Sequence, residues 1–488
     1  MKENTKGMTA AADREAEKAA KAYLMDLYDY FRMDSSMDPI ILFEQFCCVL
    51  ASIHEHFAVI LDPGSMDIPA LTARWYEDLI HTCHMFFGWD ISAPDEFKSR
   101  PELLRRMLGA VQALMKYADK GSLRLGPLLS DFLETILQSR QNEIIRTPLQ
   151  TAREIVKLLY QEKQAAFWGN MLDPACGSGA FLIALLEQAK EDDEGNFLWI
   201  LNLERDEHLR NCVAILSWFY QSPPISIEIK DSGTVPQVAK ESFDLILANP
   251  PFRTQSLRDR EKFGDDAHLP VPTNDLHRAF IQRTLLGLKP GGESAIIVPD
   301  SFLTHTASDA IQVRQWIVEK FQCVAVVKLP YYTFYPQAAI NASVLFIRNL
   351  ENTRKSSAKR EKIFFFTVET DGRSNDTRRQ PVPQNDFDEL RQVWNRREAL
   401  WEEWHGSLPV QNVHGMPVPE QWEHPHFWFG SLEDVSRSDY SLLPEQYQPV
   451  QLLREPVQDP EELLAELRNL GGEIIELMEQ LAEAEYER

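Results

Sequence analysis

The chain of 488 residues is short of cysteine, of cationic excess and of long apolar runs, and each shortage excludes something. Six cysteines are scattered along it, with Cys47 and Cys48 adjacent. That is too sparse and irregular for a disulfide framework and suits a reducing compartment. No apolar stretch approaches the ~18 residues that a membrane span needs. Met1-Lys2-Glu3-Asn4 does not begin a charged-then-apolar secretory signal. A cytoplasmic protein without membrane association is therefore expected. Lys and Arg number 50 against 74 Asp and Glu, a net charge of −24. Affinity for nucleic acid comes largely from neutralising phosphates with cations, so composition argues against a simple nucleic-acid binder. If such a ligand is bound, either a local basic surface sits within the acidic average or a partner supplies most phosphate contacts.

What is present begins with helical periodicity. Ala11–Tyr30, Ile40–Leu61 and Pro101–Ser139 carry apolar residues at helical spacing, which predicts a helical N-terminal domain over residues 1–140. His54-Glu55-His56 and His81-Thr82-Cys83-His84 lack a second matching ligand pair, so no metal is expected. From Thr147 the pattern alternates apolar strands with amphipathic helices, the mark of a doubly wound α/β sheet. Strands are predicted at Met171–Pro174, Phe197–Glu204, Ile225–Ile229, Phe243–Ala248, Ser294–Pro299, Cys323–Leu329, Ala342–Arg348 and Lys362–Val368. A catalytic domain over 141–370 follows, then an irregular, Pro- and Trp-rich region over 371–457. Asp459-Pro460-Glu461-Glu462 is a good helix start. Leu463, Leu467, Leu470, Ile474, Leu477 and Leu481 then form a coiled-coil-like seam over 458–488, interrupted by Gly471-Gly472. It reads equally as a helix packing on its own domain and as a docking helix for a partner.

Asp173-Pro174-Ala175-Cys176-Gly177-Ser178-Gly179 closes the first predicted strand and opens a helix. Glycines there let the backbone turn sharply and approach a ligand where a Cβ would collide. Phe181-Leu182 stand where a Gly-x-Gly-x-x-Gly motif needs its third glycine, which argues against a dehydrogenase. Glu204 ends the second strand, where a carboxylate can accept ribose hydroxyls, with Asp206 as the fallback. Asp231 follows the third strand and reads either as a carboxylate for an adenine amino group or as a helix cap.

The fourth strand runs directly into Asn249-Pro250-Pro251-Phe252. An exocyclic amino nitrogen on adenine is a poor nucleophile because its lone pair is delocalised into the ring. The Asn249 side-chain carbonyl and the Pro250 backbone carbonyl can each accept one N–H, holding the nitrogen toward tetrahedral geometry. Its lone pair is then directed at a sulfonium methyl, and positioning and electrostatics do most of the catalysis. The prolines fix the backbone that carries these acceptors. Phe252 offers a face for stacking an extruded base, worth ~1–3 kcal/mol. The bland alternative is a Pro-Pro turn after a strand.

Taken together, Asp173–Gly179, Phe243–Phe252 and Thr147-Pro148 resemble the N6-adenine DNA methyltransferases, and most closely the modification subunits of type I restriction-modification systems. The resemblance spans roughly residues 140–350. It implies a Rossmann-like, seven-stranded methyltransferase sheet, S-adenosylmethionine as cofactor and an adenine flipped out of duplex DNA. The residues it assigns to the cofactor are Thr147, Pro148, Asp173, Pro174, Ala175, Cys176, Gly177, Ser178, Gly179, Phe181, Glu204, Asp231 and Asn249. The catalytic set is Asn249, Pro250, Pro251 and Phe252. Leu329-Pro330-Tyr331-Tyr332-Thr333-Phe334 matches the family segment after the sixth strand, which offers Phe334 or Tyr335 as a second stacking face. The loop Arg253–Thr273 reads as a cover for the flipped nucleotide, a phosphate contact or a solvated loop.

The type I likeness also implies partners: double-stranded DNA, a separate specificity subunit, and a restriction subunit or second modification subunit. The acidic body and the terminal seam agree with that division of labour. Two other readings compete. Asn-Pro-Pro-aromatic also serves enzymes that methylate protein glutamine or RNA guanine, and a catalytically silent scaffold of a defence complex would keep the same fold.

Overall fold

A doubly wound sheet needs strands that are apolar on both faces, because helices cover both. Leu245–Ala248, Ala295–Val298 and Ala325–Val327 meet that requirement, and all are buried. The computed structural model describes residues 2–33, 38–55, 101–118, 124–139, 145–163, 169–191, 199–220, 226–231, 238–252, 269–350, 362–406, 409–419 and 422–449.

The strands are β1 (Asn170–Asp173), β2 (Trp199–Glu204), β3 (Ser226–Asp231), β4 (Phe243–Ala248), β5 (Leu288–Pro299), β6 (Gln322–Lys328), β7 (Ala342–Arg348), β8 (Lys362–Thr367), β9 (Asp371–Arg373), β10 (Pro381–Asn385), β11 (Pro409–Gln411), β12 (Pro417–Pro419) and β13 (Phe427–Ser431). Nine of them form one sheet in the order β3-β2-β1-β4-β5-β7-β6-β8-β13. Only β7 and β13 run against the others. The expected seven-stranded core is the run from β3 to β6, and β8 and β13 widen it.

Strand β13 lies in the region expected to be irregular. Its run Phe427-Trp428-Phe429 pairs with Phe364-Phe365-Phe366 of β8, and all six rings are buried. Phe365 also stacks on Tyr447 at 4.7 Å, and Trp428 donates its indole N–H to the Pro444 carbonyl. A five-residue strand whose partner lies some sixty residues earlier carries no alternation to announce it. Helices α11 (Phe387–Trp394), α12 (Arg397–Gly406) and α13 (Leu432–Arg437) belong to the same stretch.

On the N-terminal side are α1 (Lys2–Met33), α2 (Pro39–Glu55), α3 (Pro101–Ala118) and α4 (Leu125–Ser139). They are followed by α5 (Leu149–Lys163), α6 (Ala180–Glu191), α7 (Glu207–Phe219), α8 (Leu276–Leu286), α9 (Asp300–Thr304) and α10 (Ser308–Lys320). The described N-terminal helices pack against the sheet's own apolar core. Leu24, Phe43, Phe46 and Phe132 belong to the same continuous apolar core as the sheet. Burying each such side chain contributes about 1.5–3 kcal/mol. Polar ties reinforce the packing: Glu44 of α2 accepts from Asn211 of α7 at 2.7 Å and meets His208 at 2.7 Å. Ser130 of α4 bonds Tyr220, which reaches Glu187 of α6.

No helix of the described residues is long and apolar enough to cross a membrane. His54 and Glu55 end α2, while the terminal seam at 458–488, His56, the histidine cluster at 81–84 and most of the 253–273 loop lie outside what is described.

Candidate functional site

The strand order reverses between β1 and β4, and ligands of such sheets sit at that crevice, beyond the carboxyl ends of the strands. Asp173, Glu204, Asp231 and Asn249 all stand at that edge. Asp173 is level with Asn202, and Glu204 with Asp231.

The turn after β1 is left-handed twice, at Gly177 (φ +54°) and Gly179 (φ +78°). The two glycines serve different ends. A Cβ on Gly179 would lie 2.9 Å from Val213 of α7, so that glycine lets helix and turn close together. A Cβ on Gly177 would meet no atom within 4 Å, so its surroundings are open on the crevice side. Glu204 fixes this turn by accepting from the amides of Gly177 (2.9 Å), Arg205 (2.8 Å) and Asp206 (2.9 Å). Asp206, the fallback, instead caps α7 by accepting from Leu209. Asp173 is buried and accepts from the Ala175 amide at 3.1 Å. Burial pushes its carboxyl up to about 8, the Ala175 amide opposes this and the Glu204 charge adds to it. The Cys176 thiol is likewise pushed well above its ordinary range by burial, which makes it a poor nucleophile.

Thr147 and Pro148 enter α5 and share a cleft of about 160 Å³ with Ser178, Thr333 and Tyr335. The Thr-Pro segment, the glycine turn and the segment after β6 are thus brought together although they lie far apart in sequence. Glu134 of α4 holds the entry by accepting from the Leu149 amide at 2.8 Å.

At the end of β4, Asn249 is 8% exposed. Its Nδ2 donates to the Ile145 carbonyl at 3.4 Å, just ahead of Thr147. A carbonyl only accepts, so this contact orients the amide and leaves Oδ1 facing the other way. That oxygen is buried with no hydrogen-bond partner among the described residues. An unsatisfied buried acceptor costs about 1–3 kcal/mol and calls for an explanation.

One neighbour was not foreseen. His277 of α8 is fully buried, and its Nδ1 lies 3.0 Å from the Pro251 carbonyl. Because the carbonyl accepts, Nδ1 carries the proton. Burial drives the imidazole down to about 4, so the ring is neutral at physiological pH. Its ring meets Phe252 edge-on at 6.1 Å, and Phe334 meets the same phenyl edge-on at 5.8 Å. Phe334 is 1% exposed, whereas Tyr335 beside it is 37% exposed. The two stacking candidates therefore differ sharply in access. Asn202, level with Asp173, was also not foreseen and is fully buried with neither amide atom hydrogen-bonded among the described residues. Neither residue could have been singled out from sequence, since a histidine early in a helix and a polar residue in a strand are both commonplace. Among the described residues no group of three or more His, Cys, Asp or Glu side chains is placed to hold a metal.

A family model for N-6 DNA methylases matches residues 128–455, well over half of the chain and all of the site described above. The chain belongs to the N-6 DNA methylase family. It is an adenine-specific DNA methyltransferase of the kind found as modification subunits of type I restriction-modification systems. The methylase subunit of the type I restriction enzyme EcoEI from Escherichia coli is 22% identical over 392 residues, covering 78% of this chain and 72% of that one. In fold, the type I methyltransferase subunit from Streptococcus thermophilus superposes with a TM-score of 0.62 at 15% identity, covering 89% of this chain and 99% of the other. A chain from a structure of type I complex assembly and conformational transition gives 0.61 at 17% identity, covering 96% and 98%. Within this N-6 DNA methylase, the matched region runs past β8 to include β13, so the two added strands lie inside the family's extent.

Proposed function

We infer that the protein transfers a methyl group from S-adenosylmethionine to the N6 nitrogen of an adenine flipped out of DNA, as the modification subunit of a type I-like complex. The observation that carries this reading is the buried, unpartnered Oδ1 of Asn249 at the β1/β4 crevice.

The residues present fit S-adenosylmethionine. The open space at Gly177 admits a ligand against the backbone, and Glu204 provides a carboxylate at the end of β2 for ribose hydroxyls. Thr147, Pro148 and Ser178 line the adjoining cleft. Asp173 adds a buried carboxyl at the end of β1, Asp231 ends β3 in register with Glu204, and Phe181 packs in the core. When bound, S-adenosylmethionine supplies an electrophilic methyl group. The protein's own residues do the rest. Asn249 Oδ1 accepts one N–H of the adenine amino group and the Pro250 carbonyl accepts the other, which withdraws the nitrogen lone pair from the ring. Pro251 is held by His277, so the acceptors are set before substrate arrives. Phe252 stacks on the base, and Phe334 and His277 brace Phe252 from its edges. These acceptors read an exocyclic amino group on the flipped base, which excludes thymine, and the family likeness specifies adenine among the amino-bearing bases.

The test is methylation of duplex DNA by the chain with its specificity partner, read as N6-methyladenine by mass spectrometry. Asn249→Ala is expected to lower turnover by roughly a hundred- to a thousandfold, as removal of one preorganised polar group commonly does. Methylated protein glutamine or RNA guanine with no N6-methyladenine would overturn the substrate. Undiminished N6-methyladenine from the variant would overturn the role of Asn249.

A further inference from the structure

At the catalytic edge of the sheet, β9 and β10 form a hairpin that follows β8, which is parallel to β6. This hairpin docks on the turn after β6: the Tyr332 amide donates to Asn375 Oδ1 at 3.3 Å. Tyr331 and Tyr335 of that turn are 40% and 37% exposed, unusual for rings so close to a buried aromatic cluster. Three arginines belong to the hairpin, and their surroundings differ. Arg379 (φ +48°) is fixed by Asp371 at 2.5 Å and by the Ser374 carbonyl. Arg378 is taken up by Asp376 at 2.9 Å. Arg373 is exposed and makes one hydrogen bond, to the Arg379 carbonyl at 3.2 Å, with no ion pair among the described residues. Its charge is one of those acting on Glu134, which already accepts the Leu149 amide. Arg373 and Arg379 also line the cleft that holds Thr147, Ser178 and Tyr335.

We propose that the β9–β10 hairpin and the Tyr331–Gln337 turn form a contact surface for the DNA strand beside the flipped adenine, with Arg373 on a backbone phosphate and Tyr331 against a flanking nucleotide. This rests on the DNA-methylating reading above. The geometry supplies what a strand contact needs, a guanidinium with spare donors held by a rigid neighbour and an exposed ring on the turn to which the hairpin is hydrogen-bonded. It also locates a local cation in a chain of net charge −24. The hairpin itself is anchored by buried Asp371 and by Asn375, so the arginine is presented in place rather than on a free loop.

The experiment is fluorescence anisotropy of the full-length chain with its specificity partner on a labelled 30-bp duplex, titrated from low to moderate salt, beside calorimetric binding of S-adenosylmethionine. Arg373→Ala is expected to weaken duplex binding roughly five- to tenfold and to reduce the slope of log K against log salt by about 0.9, the signature of one lost phosphate contact. Arg373→Lys is expected to keep that slope. Tyr331→Ala is expected to weaken binding roughly fivefold with the slope unchanged, since stacking is not ionic. Affinity for S-adenosylmethionine stays at the wild-type value in all three. An unchanged slope in Arg373→Ala overturns the proposal, as does a loss confined to S-adenosylmethionine binding, which would place the arginine on the cofactor's carboxylate. Wild-type protein that neither binds nor methylates the duplex would overturn the underlying reading instead.

Discussion

Alanine at Gly177 and alanine at Gly179 should fail in opposite ways. Both positions are left-handed, so each alanine costs about 1–2 kcal/mol of folding free energy from backbone strain alone. At Gly179 the new Cβ would also sit 2.9 Å from Val213 Cγ1 and 3.1 Å from Cγ2. Val213 is buried in α7 and, being β-branched, has one strongly preferred rotamer there, so it cannot swing away. Overpacking of that kind adds about 1–3 kcal/mol. Gly179→Ala should therefore destabilise the apo protein by ~2–5 kcal/mol, and Val213→Ala in the same chain should return the overpacking part. At Gly177 nothing lies within 4 Å, so the fold loses only the strain. If that open space receives the methyl donor, the same Cβ should weaken S-adenosylmethionine binding at least tenfold, about 1.4 kcal/mol. Chemical denaturation of the apo variants and calorimetric titration with S-adenosylmethionine measure the two effects separately. Equal stability of the two alanine variants, or no coupling between Gly179→Ala and Val213→Ala, would refute the steric argument. Wild-type affinity in Gly177→Ala would remove the donor from the glycine turn.

Three further expectations follow from the same site. Asp173 titrates at about 8 in the folded protein against ~3.9 in an unfolded chain. The folded state thus holds a proton that the unfolded state has released, and this group's effect on stability worsens as pH rises from about 4 to 8. Asp173→Asn should flatten that part of the pH–stability curve; an unaltered curve would show the carboxylate is not desolvated. His277 is shifted the other way, to about 4, so its contribution is complete above pH ~6.5 and is lost as pH falls toward 4, worth ~3 kcal/mol in all. His277→Asn, which retains a donor for the Pro251 carbonyl, should keep most turnover, whereas His277→Phe should lower kcat more than it raises KM. Equal kinetics in the two variants would mean the hydrogen bond does not position the loop. Finally, the isolated chain should bind DNA poorly and methylate little until a specificity subunit is added; strong site-specific methylation by the chain alone would refute the division of labour.

How much of this was legible in the sequence follows from how local each feature is. The strand–turn–helix of Asp173–Gly179 and the strand–loop of Phe243–Phe252 are contiguous, so their residue types state their geometry directly. Glu204 could be placed because it ends a strand, though only the structure distinguishes it from Asp206, which caps α7. The sheet's edge was harder. Predicting β13 requires knowing that Phe427–Phe429 meets the aromatic run of β8, and a short aromatic segment after a proline-rich stretch offers no period to read. His277 is harder still, since its importance lies in a contact with a carbonyl 26 residues away that no side-chain pattern encodes.

The same distinction explains the charge. A net charge of −24 opposes DNA as a substrate only on average, because it sums over every surface of the molecule. Several of the arginines are paired internally: Arg153 with Glu187, Arg278 with Asp309, Arg348 with Glu293 and Arg379 with Asp371. Phosphate recognition depends instead on which cations keep spare donors at the catalytic edge, and screening limits the influence of remote carboxylates to about 10 Å. Arg373, three residues from the part-buried Thr370–Asp386 tie that closes its hairpin, is such a cation. If Arg373 contacts the strand as proposed, an acidic body with one small basic contact predicts dependence on a partner: the local cation would orient the strand, but too few phosphates would be neutralised to hold the duplex without help.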